Sequence, residues 1–485
     1  MGSNDYTPLN NHGFDRSIFI YASFFNIICM SKLVKGVNVD NINIISKLID
    51  IDANLIDSIN LINEENQYIF VIYLKRIISE CPYCHSKHII VKGNIVRDIV
   101  GSQYNNKPSI LSVHLKRLKC KDCNSTFNDE NPIAYLSTSF SKQAVIHILD
   151  DLKPYNSTYS SVAKKYGVSA LSIINLFDTF VQIERKTLPR ILLMDEFYFS
   201  RHSKYKYACM LMNFEKGYIV DIIESRQHRC LSNYFFNISK EEKESVEFIC
   251  IDMYQPYRSI KNTYFKHATL LVDHFHVIKF INDQLNHTRK RIMRKYQTNK
   301  KSVEYKLLKK EYKLLLTKKD DIDDKIFKKN YILNYTCTRL RVLEEILKIN
   351  RELRLAYTLK ELYLDFDSIT KDDVNNHDLE KELNELIEYF LCSQINELVK
   401  VGKTLSSWRK EIINSFVWID NRRISNGMIE GKNNYIKKIL SNANGMVNFE
   451  RSRNKMIYSQ NQRESYTLTP KDKYNVIKIK PKKIK

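Results

Sequence analysis

The sequence offers no apolar run of the ~20 residues that a membrane span needs. Its best candidate, residues 18–30, is too short, and no basic stretch precedes it as in a signal peptide. No glycine-rich phosphate loop is present, so dependence on ATP is not expected. No serine or cysteine nucleophile motif is present either, which argues against a covalent enzyme intermediate. A disulfide framework is missing: four of the ten cysteines form two C-x-x-C pairs and the rest are scattered, which fits a reducing, intracellular setting. Glycine and proline nearly vanish between residues 281 and 405, where Gly402 stands alone. Acidic residues are in deficit, 55 against 77 Lys+Arg, and the formal charge is +22.

That excess favours a polyanionic partner. Two basic runs carry part of it. Residues 289–319 hold 13 Lys/Arg with only Glu304 and Glu311 as acids, and residues 471–485 hold seven lysines and one acid. A charge run is often only a solvated helix face or tail, so the total rather than either run makes nucleic acid the expected partner. At 485 residues with 43% hydrophobic content, the chain has room for about three domains with ordinary cores.

Cys81-Pro82-Tyr83-Cys84 and Cys120-Lys121-Asp122-Cys123 are two tight knuckles, and a strand-like stretch, residues 112–118, leads into the second. Four thiolates suit a closed, tetrahedral, structural Zn²⁺ site, as in a zinc ribbon. His85 and His88 read as surface residues rather than ligands. Residues 141–182 look helical. Gly167 marks a turn and Ser169 reads as the N-cap of a helix over 170–180, the grammar of a helix-turn-helix. Its recognition candidates are Ser169, Ser172 and Asn175. A plain helical hairpin is the alternative.

From Arg190 the period changes. Strands are expected at 191–195, 205–213, 218–224, 246–252 and 268–273, with helices near 231–238 and from Pro256. Three strands, a helix, a strand, a helix and a strand is the order of a ribonuclease-H-like sheet. Beyond residue 281 the pattern is helical, and no further strand is expected. Asp195 and Asp252 end two of the apolar runs, and Glu430 opens an amphipathic helix whose polar stripe also carries Asn433, Asn434 and Lys437. Two Mg²⁺ (or Mn²⁺) ions ~3.5–4 Å apart, held by such carboxylates, can clamp a phosphodiester. Glu196 should point away from Asp195 by strand alternation. His276, near Asp273, has a structural role at least as readily as a catalytic one. Arg258 is placed to reach a phosphate, and Lys437 to point along the Glu430 side toward one.

Together these motifs resemble a bacterial insertion-sequence transposase of the ISL-three type, one of the DDE transposases. The likeness runs over residues 76–460 through both knuckles, Leu193-Met194-Asp195-Glu196, Ile251-Asp252-Met253-Tyr254, Asp273-His274-Phe275-His276 and Asn426-Gly427-Met428-Ile429-Glu430-Gly431-Lys432-Asn433. It implies a multidomain α+β protein in which Asp195, Asp252 and Glu430 hold the metals of a ribonuclease-H-like core interrupted by an all-α insertion. The expected organisation is an N-terminal segment (1–75), a zinc-binding domain (76–135), a helix-turn-helix domain (136–186) and the first part of the core (187–282). A helical insertion (283–405), the second part of the core with the Glu helix (406–465) and a basic tail (466–485) follow. The implied activity is binding of an element's terminal inverted repeats, then Mg²⁺-dependent cleavage and strand transfer on double-stranded DNA at element ends and target. Pairing two ends implies a homodimer or higher form on DNA, in the bacterial cytoplasm at the nucleoid. The alternatives are a non-catalytic, transposase-derived DNA-binding regulator and a ribonuclease-H-like nuclease acting on branched or hybrid nucleic acid.

Overall fold

A long β-hairpin organises the first half of the chain. The computed structural model describes residues 39–135, 138–443 and 447–461. They form two units, one from the described residues up to Asp151 with Tyr159–Leu176, the other from Leu152–Thr158 and from Phe177 onward. The basic tail and most of the N-terminal segment lie outside the described residues.

In the first unit, helix α1 (Val39–Leu48) precedes β1 (Ile56–Asn63) and β2 (Tyr68–Leu74). The hairpin is β3 (Ile89–Val100) and β4 (Ser109–Cys120), followed by the short β5 (Thr126–Asn128). The sheet order is β1-β2-β4-β3, with β5 also on β4. Central β4 alternates up to Leu115: Leu111, Val113 and Leu115 are buried, and they join Phe70, Ile72 and Ile99 in one core; past Arg117 the phase shifts and Leu118 and Cys120 are buried. Because β2 pairs in parallel with β4, the expected boundary at residue 75/76 runs through a sheet. Register shows this; sequence spacing does not. Helices α2 (Lys142–Leu152), α3 (Tyr159–Tyr166) and α4 (Ala170–Phe180) follow. The α3–α4 turn needs a left-handed residue, and Gly167 supplies it at φ +66°. Ser169 caps α4 by accepting the Ser172 N–H at 3.1 Å. The division between units falls within α4, ahead of the expected 186/187 boundary.

The second unit is built on a sheet of β6 (Ile191–Tyr198), β7 (Tyr207–Asn213), β8 (Ile219–Ile223), β9 (Phe248–Ile251) and β10 (Thr269–Val272), in order β10-β9-β6-β7-β8. β7 is antiparallel to both β6 and β8, and β9 and β10 run parallel to β6. Between β8 and β9 lie α5 (His228–Phe236) and α6 (Lys240–Glu244), and between β9 and β10 lies α7 (Gln255–Tyr264). Both sheet faces are covered. Leu192, Met194, Ile249 and Ile251 pack with α5 and α7, while Ile191, Leu193, Phe197 and Cys250 pack with α16 (Gly427–Asn442) and α17 (Phe449–Gln460).

The helical stretch is α8 (His274–Lys295), α9 (Val303–Lys310), α10 (Lys313–Leu316), α11 (Arg339–Lys348), α12 (Arg351–Asp367), α13 (Leu379–Cys392), α14 (Asn396–Ser407) and α15 (Arg409–Asn414). It is not a separate body. Helix α8 starts directly after β10, and side chains from α8 to α15 share one apolar core with a sheet face. Strands also do not stop at residue 281. Two short hairpins follow, β11 (Lys328–Asn330) with β12 (Tyr335–Cys337) and β13 (Trp418–Ile419) with β14 (Arg422–Arg423). Strands of two or three residues are too short to show alternation. The signal for the second is its turn, Asp420-Asn421, with both residues at positive φ.

Arg258 of α7 stacks 3.6 Å from the Trp408 ring centroid and donates to Ser407 O and Glu411 Oε2, both at 2.9 Å. This ties the sheet layer to the α14–α15 corner. Breaking a buried ion pair costs roughly 3–5 kcal/mol, and this pair's partial exposure places Arg258→Ala near the lower end, about 3 kcal/mol. Chemical denaturation of the two proteins would measure it, and an unchanged midpoint would refute the tie.

Candidate active site

The site arises where β9 and β10 end beside β6, which runs on past Asp195 to Tyr198 along β7, longer than the expected 191–195. Leu193 pairs with Cys250, and Val272 with Ile251, so the same registers carried on align Asp195, Asp252 and Asp273. Asp273 continues the ladder by donating its N–H to Ile251 O at 2.7 Å. Alternation along β6 sends Asp195 to the α16 face and Glu196 to the α7 face, as expected. Asp252 lies just past the end of β9, however, and its carboxylate meets both. Oxygens of Asp195, Glu196 and Asp252 all lie within 4.8 Å of one another. Opposite faces of a strand converge here because the neighbouring strand has already ended.

The group carries more negative charge than its surroundings neutralise. Burial, reinforced by Glu196 and Asp195, pushes the Asp252 carboxyl up to about 8. Burial pushes Asp195 up to about 6, against the pull of His276, and raises Asp273 as well. Asp252 Oδ1 and Glu196 Oε2 are buried without a hydrogen-bond partner. Unpaired buried carboxylate oxygens are costly, and a hard divalent cation with oxygen ligands would satisfy them. The donor set therefore fits Mg²⁺ or Mn²⁺. The Glu196 Oε1 atom is held by Arg226.

Helix α16 closes the site. Its N-cap, Asn426, donates its side-chain amide to Met194 O at 3.0 Å and its backbone N–H to Asp273 Oδ1 at 3.3 Å. Two turns on, Asn433 donates Nδ2 to Asp195 Oδ2 at 2.9 Å, while Asp195 Oδ1 accepts the Glu196 N–H at 2.8 Å. Glu430 lies between these asparagines at i+4 from the first and i−3 from the second, on the same helical stripe. It is exposed and stands outside the three-carboxylate group. Lys437, seven residues further, is also exposed. The role of Asn433 has one sequence signal, its spacing of three from Glu430. Glu196 had none, since alternation argued against it.

His276 Nδ1 lies 3.5 Å from Asp273 Oδ2, an ion-pair distance without hydrogen-bond alignment. His274 is tied more firmly, at 2.9 Å from Asp367 Oδ2, and Arg423 holds the other oxygen of that carboxylate at 3.1 Å. Arg258, expected near a phosphate, instead has the intramolecular partners described above. It follows Asp252 in sequence, but the helical twist of α7 turns it toward α15.

The cysteine cluster repeats one local design. Cys81 N–H donates to Ser86 O and Cys120 N–H to Ser125 O, both at 2.9 Å. The residue after each second cysteine is left-handed, His85 at φ 57° and Asn124 at φ 58°. Register sets Cys120 opposite Ile89, which brings the knuckles together. The Cys81–Cys123 and Cys84–Cys120 sulfurs are each 3.6 Å apart, and all four lie within 4.8 Å. A tetrahedron with Zn–S of ~2.3 Å has edges of about 3.8 Å, so the four thiols fit zinc. Hydrogen bonds from Ser125 bring the Cys123 thiol down to about 6, while, against a Ser86 backbone hydrogen bond, the neighbouring cysteines push Cys84 up to about 12. His88 pairs with Asp122 at the surface. Of the α4 positions, Ser169 and Asn175 are exposed, and the Ser169 and Ser172 hydroxyls are 2.8 Å apart.

Among the described residues no helix is long and apolar enough to cross a membrane. No curated protein matches the chain. A family model described as a transposase, of the DDE class and ISL-three type, matches residues 192–456, from the second residue of β6 into α17. That span is more than half of the chain and contains Asp195, Asp252, Asp273 and Glu430, so the protein belongs to the ISL-three-type family of DDE transposases.

Proposed function

We propose that the protein binds the inverted repeats at the ends of an insertion sequence and performs Mg²⁺-dependent strand cleavage and strand transfer in a ribonuclease-H-like core. One observation carries this reading. Asp252 Oδ1 and Glu196 Oε2 are buried without a partner beside Asp195, and burial raises the Asp195 and Asp252 carboxyls. In a family of transposases, an arrangement that costs stability and attracts divalent cations points to catalysis.

Asp195 and Asp252 would hold the metal, with Glu430 as the third ligand from α16. A bound Mg²⁺ pair supplies Lewis-acid stabilisation of a phosphodiester under in-line attack. The chain's own residues supply the rest. Asn433 fixes the orientation of the Asp195 carboxylate, and Asn426 pins the start of the Glu430 helix to β6. Because cleavage and strand transfer are both in-line displacements at phosphorus, one set of carboxylates serves both. We further assign the cysteine cluster to structural Zn²⁺, the α3–α4 pair to a helix-turn-helix with Ser169, Ser172 and Asn175 at its reading end, and Lys437 to a DNA phosphate. The active complex on paired ends is a homodimer or larger.

The test is incubation of the full chain with duplexes carrying the element's own ends, with and without Mg²⁺. Nicking and joining are the expected products, and end binding without nicking would favour a regulator. Glu430→Gln is expected to retain end binding and lose cleavage by on the order of 10²-fold or more. Normal cleavage by that variant would remove Glu430 from the site.

A further inference from the structure

Arg226 is the basic side chain ion-paired to the three-carboxylate group among the described residues, and its setting is unusual. It lies just after β8, and its Nη1 contacts Glu196 Oε1 at 2.5 Å. Its guanidinium carbon sits 4.5 Å from the Tyr207 ring centroid and 4.7 Å from that of Tyr254, held by an aromatic face from each of two elements. One ring comes from the start of β7, the other from the segment after Asp252. Only Nη1 is used in the pair. The side chain is 29% exposed, and its other N–H groups make no ion pair with the three-carboxylate group. Glu196 in turn has one oxygen on Arg226 and one buried oxygen with no partner, beside the similarly unpartnered Asp252 Oδ1.

A guanidinium kept planar and aimed by two rings suits a phosphate better than a lone carboxylate oxygen. The carboxylate it holds suits a divalent cation. From this geometry we infer that Glu196 is a further ligand of the metal site and that Arg226 is its stand-in cation, exchanged on loading. When a divalent ion takes Glu196, the guanidinium stays between Tyr207 and Tyr254 and turns its released N–H groups to a phosphodiester of the bound DNA. This rests on the transposase reading for the identity of the phosphate, but not for the exchange between Arg226 and the metal. No bond is made or broken in the exchange; one ion pair is replaced by another.

Mn²⁺ binding to the full chain, followed by electron paramagnetic resonance without DNA, separates the two. Arg226→Ala removes a competing cation and is expected to tighten Mn²⁺ binding by about tenfold, whereas a residue that merely braces the fold would weaken it or leave it unchanged. Glu196→Gln is expected to weaken Mn²⁺ binding. With end-bearing duplex and saturating Mn²⁺, Arg226→Ala should lower the cleavage rate by about 10²-fold or more while end binding changes little. Arg226→Lys keeps a point charge without the flat fork and should fall between, which guards against a folding defect in the alanine variant. Unchanged or weaker Mn²⁺ binding by both Arg226 variants would overturn the exchange. Tighter Mn²⁺ binding with no cleavage by the wild-type chain would leave the exchange standing and defeat the transposase reading instead.

Discussion

Asp252→Asn is expected to abolish strand cleavage and, in the same protein, to raise thermal stability at neutral and alkaline pH. The two effects have one cause. Burial and the nearby Glu196 and Asp195 carboxylates push Asp252 from 3.8 up to about 8. A carboxyl raised in the folded state supports folding below its unfolded pKa, and that support is lost as the pH climbs toward the folded value. The contribution of Asp252 to the stability of the wild-type chain without metal is therefore expected to fall between about pH 4 and pH 8. An asparagine, which carries no charge, removes that slope. Cleavage should fall by on the order of 10³-fold or more, because a neutral amide is a poor ligand for a hard cation. Thermal melts across this pH range, with and without Mn²⁺, check the first half. Mn²⁺ should stabilise the wild type most at the alkaline end and Asp252→Asn hardly at all. Asp195→Asn should lose cleavage as severely with a smaller stability gain, since burial carries that carboxyl only to about 6. A variant of either aspartate that cleaves normally would end its assignment.

Removing one cysteine of the cluster should unfold the end of the β3–β4 hairpin. Cys81 and Cys120 are fully buried and, with Ile89 and Leu118, make up most of a very small apolar core. Four residues bury too little surface to hold two knuckles with left-handed backbone at His85 and Asn124. A structural zinc site contributes about 10–16 kcal/mol of apparent binding free energy in small finger peptides, far more than this core. Cys120→Ser, or a strong chelator on the wild type, is expected to make residues 81–91 and 118–128 rapidly cleavable by protease and to abolish binding to element ends. Metal analysis of the purified wild type should show one zinc per chain. Full protease resistance after complete zinc removal would mean that the hairpin stands without it.

Much of the second unit was legible because its elements obey simple periods. The strands of the β6–β10 sheet are mostly apolar runs, interrupted by Asp221 in β8 and by Asp195-Glu196 within β6, and Asp195, Asp252 and Asp273 are visible as the acids that stop three of those runs. The cysteine pairs were legible for a similar reason, since their spacing alone puts two sulfurs on each knuckle. The helix expected to open at Glu430 begins three residues earlier, at Gly427, and its apolar stripe was visible in Ile429 and Ile436, both buried. Other features were not readable locally. The β2–β4 pairing joins residues about forty positions apart and moves the expected boundary at 75/76 into a sheet. The two short hairpins after residue 281 are too brief to carry a period. Arg258 looked free beside Asp252, and only the packing of α7 against α15 shows its partner to be Glu411.

The order of strands and helices, the two cysteine knuckles and the aspartates that stop the apolar runs follow from the sequence, because each depends on neighbours within a few residues. Which carboxylates share a pocket depends instead on where a neighbouring strand ends. Alternation along β6 separates Asp195 from Glu196, yet Asp252, one residue beyond β9, lies close to both. The same packing sets Asn433 against Asp195 and Arg226 against Glu196. Those distances are set by register and layer packing between segments up to 238 residues apart, which no local pattern encodes.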